Sequence, residues 1–307
     1  MKDDRRKVFL LIAGFLVLQI LEASCYAHGF QIGLSHYGVV YDGANIWVAN
    51  YSGDTVTKLR AADGSLVASY KVPGPWGMAF DGQNIWIANY SRDSVTKLRA
   101  ADGALLGVYP AGVNPKAVLF DGAYIWVASG RGPGLITKLA MNGTPVWAVP
   151  VRDPWGMAYD GATVWVTNND SDTVTRLDWS GCVVGVYKAG DQPMGIAFDG
   201  AYMWVADNGG TNVTKLSAVD GARVGRFPVG VDPFGVFSDG NYVWVARTDG
   251  VIVKLTAGGC LVATYDGGSY PDGIAFDGKN IWVANTEGAV RVIRAYSGSF
   301  VAASANP

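Results

Sequence analysis

The sequence predicts an all-β fold: a seven-bladed β-propeller of four-stranded antiparallel blades, preceded by an N-terminal signal peptide. Three observations lead there. The string Asp-Gly-x-x-apolar-Trp recurs seven times, beginning at Asp42, Asp81, Asp121, Asp160, Asp199, Asp239 and Asp277. Successive copies lie 38 to 40 residues apart, the period of a small sheet that must stack on its neighbours to bury both faces. Half of the 307 residues are hydrophobic, only 16% are charged, and Gly occurs 41 times, a composition suited to short strands joined by tight turns. A chain of this length buries roughly three quarters of its unfolded surface, enough for a core that needs no disulfides.

The second copy displays the unit. Gly77-Met78-Ala79-Phe80 reads as a short inner strand with small residues alternating with large ones, as fits the crowded axis of a propeller. Asp81-Gly82 makes the turn, and Ile85-Trp86-Ile87-Ala88 is apolar on both faces, as a covered central strand should be. Val95-Thr96-Lys97-Leu98 alternates, Asp102-Gly103 is a hairpin signal, and residues 104–109 form the fourth strand. The chain divides into a signal peptide (1–27), an N-terminal leader (28–35), the propeller (36–303) and a tail (304–307). Blades are expected at 36–74, 75–114, 115–153, 154–192, 193–232, 233–270 and 271–303, the last completed by its own fourth strand over Ser299–Ala303. Closure is then expected from packing of blade 7 on blade 1 without strand exchange, although the leader could add a strand beside blade 7.

The N-terminus carries the targeting signal. Lys2, Arg5, Arg6 and Lys7 precede an apolar run of 14 residues, Val8–Leu21, shorter than a membrane span but right for a secretory signal, with cleavage expected after Ala27. A lipoprotein reading through Cys25 and an uncleaved anchor are the alternatives. The mature chain is expected outside the cytoplasm, periplasmic or secreted. Removing residues 1–27 leaves 20 Lys+Arg against 23 Asp+Glu, with no basic tract of the kind that neutralises phosphates, which argues against nucleic acid as a partner.

The repeated Pro-x-Gly-apolar-Ala-Phe-Asp-Gly, Ile-Trp-Val-Ala-Asn and Thr-Val-Thr-Lys-Leu segments resemble those of YVTN/NHL-type propellers, including the streptogramin B (virginiamycin B) lyases. The resemblance spans residues 36–303. It implies fold more than function, because this architecture hosts lyases, lactonases, receptors and scaffolds. It also implies that ligands meet the face carrying the Pro-x-Gly segments. Because the inner hairpin is antiparallel, the start of the first strand and the end of the second share that face.

Residues repeated in every blade belong to the scaffold, so the informative positions are those that vary. The x of Pro-x-Gly reads Tyr37, Trp76, Lys116, Trp155, Met194, Phe234 and Asp272 around the ring. The loop position after the second strand reads Asn50, Asn89, Ser129, Asn168, Asp207, Arg247 and Asn285. Together they suggest an aromatic mouth with Lys116, Asp207, Arg247 and Asp272 as polar anchors, the usual make-up of a small-ligand pocket. In the streptogramin B lyases, by resemblance, catalytic His residues occupy x positions and act with a Glu and magnesium. Here no x is His, and the only histidines are His28 and His36. That plan therefore lacks its proton carrier.

The preferred function is a binding module for a small ligand, peptide or surface partner. One alternative is a lyase or lactonase-type enzyme with non-standard catalytic residues, with which alone a divalent metal would be compatible; no cofactor is otherwise expected. The second alternative is a structural or protein-interaction scaffold. Cys182 and Cys260 fall at equivalent turns two blades apart, too distant to bridge, and should be free thiols.

Overall fold

In the computed structural model, which describes residues 30–31 and 36–296, seven four-stranded antiparallel sheets surround a central axis. Blade 2 is representative: Pro75–Phe80 innermost, then Asn84–Asn89, Ser94–Arg99 and, at the rim, Leu105–Pro110. The first six sheets span 36–71, 75–110, 115–152, 154–188, 193–228 and 233–266, each built from consecutive strands. No helix among the described residues is long and apolar enough to cross a membrane. The signal segment lies outside the described residues.

The seventh sheet corrects the expected closure. Pro271–Phe276, Asn280–Asn285 and Ala289–Arg294 supply three strands, and the fourth is Phe30–Gln31, paired antiparallel with Ala289 and Val290. The first and last described strands therefore share one blade, and the ring is closed by strand exchange; residues 299–303 lie outside the described residues. Register explains the choice. Tyr70, Tyr109, Tyr187, Phe227 and Tyr265 each stand opposite the residue two before the blade's strand-three Lys, Arg or equivalent, and Phe30 takes that same place opposite Val290.

Each repeated Trp is buried, and seven apolar clusters result, each straddling two neighbouring blades and including the pair formed by blades 7 and 1. Three side chains lock the unit. The indole N–H of Trp86 donates to Asp81 at 2.7 Å, and the other six Trp–Asp pairs repeat this at 2.7 to 2.9 Å. The turn Asp therefore does more than shape its own turn. The Lys97 ammonium lies 4.6 Å from the Trp86 ring and donates at 2.6 Å to the Met141 carbonyl of the next blade. Lys58, Lys138, Arg176, Lys215 and Lys254 make the same two contacts from their own blades. Lys58, Lys138, Lys215 and Lys254 are buried against the usual preference because each is paired, and Lys97 is half-buried. In blade 7 the position opposite Trp282 is Val292, so the closing interface lacks this tie.

Cys182 and Cys260 are free and exposed.

Candidate ligand-binding site

Each inner strand begins with a bulge. Pro75 stands opposite Asn89 but Met78 opposite Ile87, so the strand gains one residue across Trp76-Gly77. A bulge bends its strand and re-aims the local side chain, and here it turns x toward the axis. The glycine that follows is dictated by crowding: a Cβ on Gly77 would sit 2.3 Å from the Lys116 carbonyl, and on Gly235 it would sit 2.2 Å from the Asp272 carbonyl. At these two positions a residue without a side chain lets the neighbouring inner strands approach so closely, whereas blade 3 has Ala117 at the equivalent place.

The described x residues line a hub cavity of about 260 Å³. Trp76, Lys116, Trp155, Met194, Phe234 and Asp272 line it, with a second apolar tier two residues further along each strand, from Val39 and Met78 round to Ile274. The side chain of Tyr37 lies outside the described residues. The sequence comparison of blades thus brings six of its nine candidates to one place. It did not single out the second tier, although alternation along a strand puts residues two apart on one face.

The walls differ around the ring. Trp155 and Phe234 meet edge to face at 6.0 Å although blade 5 separates their blades. The ammonium of Lys116 lies 4.3 Å from the Trp155 ring, 2.9 Å from Asp153 Oδ1 and 3.4 Å from the Pro154 carbonyl, with its side chain 1% exposed. Burial pushes this ammonium below the usual lysine range, and Asp153 opposes the shift. Asp272 differs. It is half-buried on the hub, and burial drives its carboxyl well above the usual carboxylate range.

On the blade 1–2 side, Trp76 is tilted 30° against Tyr90 at 4.8 Å and meets Tyr51 edge-on at 5.4 Å. Tyr51 and Tyr90 were missed in the sequence, yet a signal existed. They directly follow Asn50 and Asn89, where the other blades have Gly130, Asn169, Asn208, Thr248 and Thr286.

Asp207 and Arg247 stand apart from this cavity, contrary to their expected role as anchors. Asp207 is buried, accepts from Thr214 at 2.8 Å, from Arg226 at 3.1 Å and from the Gly190 backbone N–H at 3.1 Å. Burial raises its carboxyl, against the pull of those donors. Arg247 donates to the Val229 carbonyl at 3.2 Å and pairs with Asp249. Both sit on second strands and reach the connection that enters their own blade, as do Ser129 toward Ala111 and Asn285 toward Gly267. They brace the scaffold.

No family model matches the chain, and no curated protein does. Solved structures do. This chain is similar in fold to streptogramin B lyase. That structure superposes with a TM-score of 0.73 at 18% identity, covering 85% of this chain and 94% of the other. Hydrazine synthase from Kuenenia stuttgartiensis gives 0.76 at 21% identity, covering 88% and 99%. BamB from Moraxella catarrhalis gives 0.60 at 15% identity, covering 84% and 85%. Likeness at these identities concerns the fold.

Magnesium usually keeps several waters and is held through one or two carboxylates, and Asp272 is the one carboxylate among the described lining residues of the hub. The described residues contain no group of three or more His, Cys, Asp or Glu side chains placed to hold a metal.

Proposed function

We propose that the protein is an exported binding module that receives a small ligand at the hub, through the mouth carrying the Pro-x-Gly segments. One observation carries this reading: the described x residues, which vary from blade to blade, line a single cavity, while the repeated Trp residues are spent on locking the blades together. A purely structural hub would be free to repeat as the rest does. The size of the cavity, about 260 Å³, suits a ligand near the lower end of the usual range for small-molecule pockets. Trp76, Trp155, Met194 and Phe234 supply contact area, and Asp272 supplies polarity. Location outside the cytoplasm follows from the apolar leader and belongs to the same proposal.

The test is a thermal-shift screen of the purified protein against a ligand panel, repeated on a Trp76→Ala/Trp155→Ala double variant. A ligand that binds only the folded state raises Tm, and the shift should vanish in the variant. A shift that survives unchanged in a folded double variant would move the site away from the hub.

The rim supports a second reading, as a protein-interaction scaffold. The outer strands expose apolar side chains, among them Leu66, Leu105 and Leu261, each more than 60% exposed, on edges with unpaired backbone groups. A partner that binds the double variant as well as the parent protein would favour this surface.

A further inference from the structure

We propose that the hub takes a small organic cation, an alkylammonium, with the Asp272 carboxylate as its counter-ion and the rings of Trp155 and Phe234 among its walls. This rests on reading the hub as a ligand site and names the ligand's chemical class.

Charge decides the class. Among the described residues lining the hub, the ionisable ones are Lys116 and Asp272. Lys116 is committed: Asp153, the Pro154 carbonyl and the Trp155 ring surround its ammonium, and almost none of its side chain is exposed. An anionic ligand would find no free cation and would face Asp272. The Asp272 carboxyl, in contrast, forms no ion pair or hydrogen bond among the described residues. Phe234 of blade 6 is its apolar neighbour on one side; on the other is blade 1, where the Tyr37 side chain lies outside the described residues. Burial raises the Asp272 carboxyl, and an entering cation supplies the charge partner that the described residues do not.

The rings and the volume agree. Trp155 accepts the Lys116 ammonium at 4.3 Å, and the aromatic walls of the hub have the chemistry that favours a cation. A cavity of about 260 Å³ exceeds the ~150 Å³ that holds benzene and leaves room for a compact alkylammonium.

The experiment is isothermal titration of the purified full chain with choline and with its uncharged isostere 3,3-dimethylbutan-1-ol. Choline should bind at least roughly tenfold more tightly, with affinity rising with pH. Asp272→Asn, which keeps the shape, should abolish the preference. Equal binding of the isostere, or a preference that survives in Asp272→Asn, would each overturn the proposal. No binding of choline would also overturn it. The hub reading falls separately, only if the isostere and the ligand panel also leave Tm unmoved.

Discussion

At the residue scale, the account turns on carboxylates in opposite environments. Burial tends to raise the Asp42, Asp81 and Asp160 carboxyls. The indole N–H of the partner Trp and nearby backbone N–H groups outweigh it, holding all three below the usual carboxylate range. A depressed folded value means stability that is present above the unfolded value near 3.8 and is lost as pH falls through the folded one. Asp81→Ala should therefore cost about 1.5–3 kcal/mol, the worth of a hydrogen bond to a charged group. Urea midpoints at pH 7 would register that cost, and the variant should lose less stability on acidification than the parent. Asp272 has the reverse sign. Its folded value is raised, so the folded state binds more protons than the unfolded one above pH 3.8, and stability declines as pH rises toward the folded value. Asp272→Asn should flatten that part of the stability–pH curve and leave the protein at least as stable at pH 7; a steeper decline in the variant would contradict this.

At the element scale, neighbouring blades are held by apolar clusters at all seven interfaces but by the Lys or Arg tie at six of them. The interface between blades 7 and 1 relies instead on Val292 in its cluster and on the short Phe30–Gln31 strand. It should open first. Hydrogen exchange at Ala289–Arg294 should be faster than at Ser94–Arg99, and equal protection would contradict the account. Lys97→Met should narrow that difference by loosening the blade 2–3 interface. Replacing Phe30 and Gln31 with glycine should lower Tm, because the seventh sheet would lose a paired edge. The sequence made the blades legible through one rigid unit: a turn Asp, a buried Trp five residues on and an alternating third strand all repeat. It raised the leader as a possible strand beside blade 7 but did not settle the closure, because a two-residue pairing has no periodicity to read. The aromatic at Phe30 was the available clue, visible only once the register of Tyr70, Tyr109 and the other rim aromatics is known. The inter-blade role of Lys58 and Lys97 was hidden for another reason. A lysine in an alternating strand reads as solvent-facing unless the next blade's carbonyl is known to meet it.

At the scale of the whole molecule, the wheel separates two jobs. Repetition builds a ring whose inner strands crowd so closely that Gly77 and Gly235 cannot carry a Cβ, and variation is left to the x positions that the bulges turn inward. Comparing blades identified the Trp76, Trp155, Phe234 and Asp272 wall, because an open axis makes every x a neighbour of the others. The same comparison misplaced Asp207 and Arg247. Variation at a strand end also arises where each blade braces a differently shaped connection, and sequence spacing alone does not tell a brace from an anchor. The claim that the hub is the ligand site is tested most directly by a crystal structure of the protein with the compound that gives the largest thermal shift. The account predicts ligand density between Trp76, Trp155 and Asp272; density at the rim or between blades, with the hub holding only water, would contradict it.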